Sequence, residues 1–281
     1  MLPNLIIIGA AKCGTTSLHY YLNLHPDIVM SDVKELNFFT EEFNWSKGLD
    51  WYQNHFKGEA KIFGESSPHY TNFPFYKGVP KRMHEVIPGA KLIFMVRDPF
   101  ERMTSHYLDT VKGYLETRPF EEAMRDVNGS EYVPRSKYFY QLQQFLEYYP
   151  KERIFVLEAE ELKNNRMEIL QGIYQFLGVD DTFISEEVLI EKNVNADKLK
   201  AKKARRWVRD LIKLESNPDS WFMHIPAKMR ENIKRTLLPK GEAVEKPEFS
   251  KELKEMLTDE LKEDVKQLRQ VMGLKLEHWP L

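Results

Sequence analysis

The sequence predicts a three-layer α/β protein with a central, mostly parallel sheet, flanking helices and a helical C-terminal part. Short apolar segments have the length expected of buried strands, at Leu5–Ile8, Lys61–Gly64, Leu92–Arg97 and Ile154–Leu157. Segments with helical patterns lie between these strands. Alternating strands and helices are typical of a parallel sheet covered by helices on both faces.

The helical patterns fall at Thr15–Leu24, Gly78–Val86, Pro99–Lys112, Ser136–Tyr148 and Arg166–Leu177. The strand signal ends after Val179, and Ser250–Met272 predicts an amphipathic helix. Its apolar residues recur at helical spacing and are expected to pack in the core: Leu253, Leu257, Leu261, Val265, Leu268 and Met272. No internal repeat or linker divides the chain, so residues 1–281 are predicted to form one domain.

The loop between the first strand and the first helix predicts a phosphate site. Gly9 and Gly14 keep the glycine spacing of the P-loop G-x-x-x-x-G-K-[ST], so the fold is P-loop-like. Backbone N–H groups and the helix N-terminus attract an anion there. Thr15 occupies the usual lysine position, however, and the lysine lies inside the loop as Lys12. This combination favours a phosphate-containing donor other than plain ATP.

The same loop resembles the Lys-x-Gly-Thr-Thr loop of sulfotransferases that use 3′-phosphoadenosine 5′-phosphosulfate (PAPS). The resemblance implies that the 5′-phosphosulfate is held by Lys12, Cys13, Gly14, Thr15, Thr16 and Ser17. It also places Lys12 to stabilise the leaving oxygen. Cys13 is the only cysteine, which excludes an intramolecular disulfide and a cysteine-based metal site. Positive surroundings in such a loop can lower the pKa of its thiol.

A second motif follows the apolar run that ends at Val96. Arg97 lies at the carboxyl end of a predicted strand, where ligands bind in open α/β sheets. Ser105 comes eight residues later, about two helical turns on, so both side chains can converge on one phosphate. Arginine, proline and serine in this order resemble the family's 3′-phosphate motif. The resemblance implies that Arg97 and Ser105 hold the 3′-phosphate of the donor.

A third segment, residues 34–39, reads Lys-Glu-Leu-Asn-Phe-Phe. It is similar to the Lys-Glu-x-x-Phe-Phe stretch of heparan-type and related bacterial sulfotransferases, which implies that Glu35 is the catalytic base. The adjacent Phe38 and Phe39 are expected to desolvate its carboxylate in part and to raise its pKa, whereas Lys34 opposes that shift.

Other segments carry further candidates. Residues 63–70 resemble a family stretch in which glycan-modifying members often have lysine where this chain has Ser66. His69, in the same segment, is an alternative base or an acceptor contact. The resemblance also places Tyr138 close to the donor, and Lys240 and Gly241 in a loop that closes over it.

The motifs together predict in-line sulfuryl transfer from PAPS to a hydroxyl or amine of a small-molecule or saccharide acceptor, with 3′-phosphoadenosine 5′-phosphate (PAP) as product. No metal is expected to be required. One alternative is a P-loop kinase that uses ATP and magnesium, against which the displaced lysine and the Arg97 and Ser105 pair argue. The other is a non-catalytic nucleotide-binding module, which the presence of Lys12 and Glu35 disfavours.

Composition excludes other classes. A formal net charge of −2 excludes a broadly basic nucleic-acid binder. No apolar stretch approaches the ~20 residues of a membrane span, and the start at Met1 lacks a signal peptide, so a cytoplasmic location without membrane partners is expected. Residues 197–213 form a basic stretch that is either a solvated helix face or a contact for an anionic acceptor or the donor. The sequence gives no oligomeric state.

Overall fold

The computed structural model describes residues 1–113, 115–189 and 245–281. A five-stranded sheet forms its centre, with the strands β1 (Leu5–Gly9), β2 (Ile28–Met30), β3 (Ile62–Ser66), β4 (Lys91–Val96) and β5 (Ile154–Glu158). Their order is β2-β3-β1-β4-β5, and every neighbouring pair is parallel. The predicted three-layer α/β fold is therefore confirmed, and the four predicted strands differ from the observed ones by one or two residues at their ends.

Strand β1 lies in the middle of the sheet. Ile6 is opposite Glu65 on β3 and Leu92 on β4, and all five residues of β1 are buried. Because parallel strands end at the same edge, the loop after β1 is flanked by the carboxyl ends of β3 and β4. This position puts residues from distant parts of the sequence around one loop.

The helices within these ranges are α1 (Thr15–Leu22), α2 (Gly48–Gln53), α3 (Val79–Val86), α4 (Pro99–Lys112), α5 (Phe120–Arg125), α6 (Tyr138–Leu146), α7 (Ala159–Asn164), α8 (Arg166–Leu177), α9 (Glu186–Leu189) and α10 (Lys251–Met272). Helices α4 and α8 have the predicted bounds. The short helices α2, α5, α7 and α9 and the three-residue strand β2 were not predicted, because none is long enough to show a clear period.

The predicted helix Ser136–Tyr148 is wrong at both ends. A short 3-10 turn over Pro134–Ser136 precedes α6, which begins at Tyr138. Its N-terminus is capped from outside, because the Asp264 carboxylate on α10 accepts the N–H groups of Phe139 and Tyr140 at 3.0 and 2.7 Å. A side chain from a remote segment thus fixes where this helix starts.

Helix α10 joins two apolar clusters. Its first buried residues, Leu253, Leu257 and Leu261, pack with α4 and α5, whereas Val265 and Leu268 belong to the main core under the sheet. Ser250 caps the helix by accepting the N–H of Leu253. The prediction that this stripe is core packing is confirmed, with Met272 only half-buried. No helix in the described ranges is both long and apolar enough to cross a membrane.

Candidate active site

A cavity of about 1000 Å³ opens at the carboxyl edge of the sheet. Glu35 enters it after β2, His69 after β3 and Arg97 directly after β4, while the loop after β1 forms its floor. The structure places all of these sequence-predicted residues in the lining of the one cavity: Lys12, Cys13, Gly14, Thr15, Thr16, Ser17, Glu35, His69, Arg97 and Ser105. A cavity of this size accommodates a nucleotide together with a second ligand.

The β1–α1 loop presents an open helix N-terminus to this cavity. Gly14 precedes α1 with φ +85°, in the left-handed region that favours glycine, and Lys12 adopts φ +73°. No side chain caps α1. Because the first N–H groups of a helix have no partner inside it, those of Thr15 and Thr16 are available to an anion.

Lys12 supplies a cation on the same loop. Its Nζ lies 3.1 Å from Oδ1 of Asp109 on α4, and its side chain is 21% exposed. Asp109 and Lys12 both line the cavity. An anion in the loop must therefore share the lysine with a carboxylate.

Arg97 and Ser105 line the same cavity from the end of β4 and from α4. Arg97 Nη2 lies 3.3 Å from Glu101 and its Nε 3.5 Å from Glu160, while the side chain remains 29% exposed. Asp98 caps α4 by accepting the N–H of Glu101 at 2.9 Å. The strand end and the helix start are thus fixed, which holds the guanidinium at the rim.

Tyr138 is not part of the cavity lining but lies behind it. It is fully buried, and its hydroxyl donates to the Arg97 carbonyl at 2.7 Å and accepts the Arg97 N–H at 3.2 Å. The same hydroxyl lies 3.6 Å from Cys13 Sγ. Tyr138 therefore connects the β1–α1 loop to the tip of β4.

Cys13 is fully buried beneath the loop backbone. Burial raises the pKa of its thiol to about 11, more than the nearby Arg102 and the Tyr138 hydroxyl lower it. The expectation of a lowered thiol pKa is therefore wrong, because desolvation outweighs the positive surroundings.

Glu35 is more open than the sequence suggested. Its carboxylate is 43% exposed and pairs with Lys34. Phe38 instead stacks on Tyr52 with ring centroids 4.2 Å apart, and Phe39 is buried beside it. The expectation that the two phenyl rings desolvate the Glu35 carboxylate is wrong, because both rings belong to the core.

A second, buried carboxylate holds the Glu35 loop in place. Glu65 at the end of β3 accepts the hydroxyls of Tyr52 and Tyr70 at 2.7 and 2.8 Å, and that of Ser67 at 2.8 Å. Burial raises the pKa of Glu65, although the three hydrogen bonds oppose that shift. Ser67 Oγ also accepts the N–H of Asn37, which ties β3 to the loop that carries Glu35.

Ser66 at the end of β3 is enclosed. It is fully buried, and its Oγ lies 2.9 Å from Nδ1 of His19 on α1. Burial and the nearby Lys34 lower the pKa of His19 to about 4. The position therefore presents an uncharged pair and no lysine.

Arg135 is a cavity residue that the sequence analysis did not find. Its side chain is 3% exposed, with Nη1 2.8 Å from Glu131 and Nη2 2.9 Å from Nδ1 of His69. Burial and this guanidinium lower the pKa of His69 to about 4. An arginine before a predicted helix reads as exposed, so only its apolar neighbours at 132–134 hint that it is buried.

Lys240, Gly241 and the basic stretch 197–213 lie outside the described residues. In the part of the chain that the structure does describe, no group of three or more His, Cys, Asp or Glu side chains is arranged to hold a metal ion.

Comparison with known proteins agrees with these motifs. The family profile described as "Sulfotransferase domain" matches residues 2–273. Heparan sulfate glucosamine 3-O-sulfotransferase 5 of Homo sapiens is 32% identical over 190 residues, which cover 63% of this chain and 54% of that protein. Bifunctional heparan sulfate N-deacetylase/N-sulfotransferase 2 of Homo sapiens is 28% identical over 204 residues, covering 63% of this chain and 22% of that protein.

Among solved structures, a sulfotransferase from Alicyclobacillus acidocaldarius has the same fold. Its TM-score is 0.69 at 24% identity, with all of both chains covered. The matched region spans about half of the 3-O-sulfotransferase and about a fifth of the bifunctional enzyme.

Proposed function

Since the chain belongs to the sulfotransferase domain family, we propose that it transfers a sulfuryl group from PAPS to a hydroxyl or amine of a saccharide or small-molecule acceptor. One observation carries the proposal. A single cavity joins the uncapped N-terminus of α1 and Lys12 to Arg97 and Ser105. Two separate anion-binding groups in one cavity fit a nucleotide that carries both a 5′-phosphosulfate and a 3′-phosphate.

The donor half of the cavity fits this ligand. Lys12 and the N–H groups at the start of α1 would hold the 5′-phosphosulfate, and Arg97 with Ser105 would hold the 3′-phosphate. Tyr138 stabilises both contacts from behind, because one hydroxyl touches the loop and the strand tip. When bound, PAPS supplies an activated sulfuryl group whose leaving group is a phosphate oxygen.

The protein's own groups then have distinct tasks. Glu35 would take the proton from the acceptor while the acceptor attacks the sulfur. The Glu35 carboxylate is exposed and lines the cavity, which allows this role. Lys12 would stabilise the charge that develops on the leaving oxygen. Holding both reactants in one enclosed space makes the transfer effectively unimolecular.

The acceptor half of the cavity is lined by aromatic rings and by charged side chains that are paired with each other. Phe43 and Tyr76 lie around His69 with ring centroids 5.6 and 6.0 Å from the imidazole. Ring faces of this kind suit a sugar or a flat small molecule, and relatives named for heparan sulfate support a saccharide. A cytoplasmic location, a single domain and independence from metal stay predictions.

Titration calorimetry with PAP, beside ADP and ATP with magnesium, tests the donor. We expect PAP to bind without metal and at least tenfold more tightly than ADP, because Arg97 recognises the 3′-phosphate with a charge-assisted bond worth about 1.5–3 kcal/mol. Arg97→Ala should abolish this preference. Arg125→Ala, which removes an exposed arginine paired with Glu121 on α5, is the matched control.

Binding of ATP with magnesium, with no gain from the 3′-phosphate, would instead support the kinase. If PAP binds, transfer of ³⁵S from labelled PAPS to heparan sulfate, glucosamine and 2-naphthol tests turnover. Binding without transfer to any of them would favour the non-catalytic module.

A further inference from the structure

We propose that Arg135 is a positioning residue that locks His69 as a hydrogen-bond donor through Nε2, so that His69 contacts the acceptor or the transferred group and does not act as the base. The inference rests on the proposed function for its catalytic meaning. Its structural content, the protonation of one ring nitrogen, stands by itself.

The geometry at Nδ1 carries the inference. Arg135 Nη2 lies 2.9 Å from this nitrogen. A guanidinium has five N–H donors and no acceptor, so Nδ1 must accept. A neutral imidazole has one N–H, which is then on Nε2. His69 can therefore give a hydrogen bond through Nε2 and has no free lone pair with which to take a proton.

Arg135 is held firmly enough to impose this state. Its side chain is almost fully buried, and Nη1 is anchored by the Glu131 carboxylate at 2.8 Å. A long side chain that is packed and paired at one end loses little further entropy in orienting a neighbour. The 3-10 turn Pro134–Ser136 fixes its backbone before α6.

The imidazole is also fixed from its sides. Phe43 and Tyr76 contact it and contact each other, with ring centroids 5.3 Å apart. Among the described residues Nε2 has no hydrogen-bond partner, while His69 lines the cavity together with Glu35 and Lys12. The Nε2–H group of His69 is therefore available to a ligand in the cavity that the proposed sulfuryl donor and acceptor share.

A proton on Nδ1 would be costly. A doubly protonated ring would set an N–H against the guanidinium N–H and place two positive charges about 3 Å apart in a buried site. Glu35, which follows the neighbouring strand β2, has an exposed carboxylate that can accept a proton. The arrangement divides the tasks, with Glu35 accepting the proton and His69 donating a hydrogen bond.

Nitrogen NMR of the full chain, with ¹⁵N-labelled histidine and with PAP present, tests the inference directly. The chain has eight histidines, and loss of one signal in His69→Gln identifies the right one. We expect an unprotonated Nδ1 and a protonated Nε2 throughout neutral pH. A proton on Nδ1, or a doubly protonated ring at neutral pH, would overturn the proposal.

Two arginine variants separate positioning from packing. Arg135→Lys keeps a donor and should preserve the Nε2–H state, whereas Arg135→Met keeps volume without a donor and should let the proton exchange between the two nitrogens. If both variants keep the wild-type state, Arg135 does not impose it. Should Arg135→Met fail to fold, the wild-type spectrum still tests the proposal, because a proton on Nδ1 would overturn it.

Enzyme activity is a second test. It is measured as ³⁵S transfer to whichever of heparan sulfate, glucosamine and 2-naphthol the wild-type protein modifies. His69→Gln retains an N–H near the position of Nε2 but no base, and should keep activity within about threefold. His69→Leu should lose about tenfold or more of the activity, because it removes one hydrogen bond to a charged group or to a group on which charge develops. Equal inactivity of both variants would identify His69 as the base. Failure of PAP to bind would sink the proposed function and leave the NMR result unaffected.

Discussion

Lys12 Nζ lies 3.1 Å from Oδ1 of Asp109, so the lysine of the β1–α1 loop is already paired with a carboxylate from α4. The carboxylate is 61% exposed and the lysine 21%. Both belong to the cavity wall. The loop is therefore less positive than its sequence implies, and under the proposed function a phosphosulfate bound there would compete with Asp109 for the same ammonium group.

Asp109→Asn should tighten the binding of PAP. The substitution removes the competing charge and frees Lys12, and an exposed ion pair of this kind is worth roughly 0.2–1 kcal/mol, or up to about fivefold in affinity. Calorimetry with PAP measures the change. Asp259→Asn, which removes an exposed carboxylate paired with Lys262 on α10, is the control. Unchanged or weaker binding in Asp109→Asn would show that the pair does not oppose the donor.

Glu35→Gln should lose turnover and keep donor binding. An amide cannot take the acceptor's proton, and removing a general base costs about 10²–10⁴-fold in rate. The PAP dissociation constant should stay within about twofold, because Glu35 follows β2 and the proposed donor contacts follow β1 and β4. Labelled transfer and calorimetry measure the two quantities, with the exposed Glu59→Gln as control. Normal turnover in Glu35→Gln would remove Glu35 as the base.

Cys13 should resist alkylation in the folded protein. Burial raises the pKa of its thiol to about 11, so the reactive thiolate is scarce near neutral pH. At about pH 8 we expect iodoacetamide to react on the order of 100-fold more slowly than with the unfolded chain. Mass spectrometry follows the reaction without ambiguity, since the chain has one cysteine. Equal rates in the folded and unfolded protein would contradict the buried position.

Asp264 should make stability depend on pH. Burial raises its pKa from 3.8 to about 6, so the folded state binds more protons than the unfolded state between these values. Its contribution is therefore largest below the unfolded pKa and is lost as pH rises through the folded one.

The stability of wild type relative to Asp264→Asn, which does not titrate, should fall by up to about 3 kcal/mol from about pH 4 to about pH 8. Urea unfolding of both proteins at each pH measures this difference and cancels the other titrating groups. A difference that is constant with pH would show that the carboxyl is not perturbed.

The parts of the fold that the sequence predicts well are those with long local patterns. The continuous apolar runs of β1 and β4 and the periodic apolar stripe of α10 are such patterns, and the packing confirms them. The start of α6 has no such local signal, because it depends on Asp264, more than a hundred residues away in sequence. Strand β2 has only three residues, too few for a pattern.

The same limit applies to the site. Lys12, Glu35 and Arg97 lie in recognisable segments, and all three reach the cavity. Lys34 lies next to Glu35 in sequence, but the pairing of Lys12 with Asp109 and of His69 with Arg135 joins distant elements and follows only from the fold. The thiol of Cys13 shows the cost of judging a group by its neighbours in sequence, since its burial reverses the expected direction of the pKa.

The order β2-β3-β1-β4-β5 divides the candidate site residues into two groups. Lys12 and Arg97 follow the adjacent strands β1 and β4, whereas Glu35 and His69 follow the adjacent strands β2 and β3. Under the proposed assignment, one half of the sheet edge recognises the sulfuryl donor and the other half the molecule to be modified. Changes in the loops after β2 and β3 can therefore alter the preferred acceptor during evolution, while the donor-binding residues after β1 and β4 stay the same. Grafting those two loops from a relative of known specificity is the corresponding route to a redesigned enzyme.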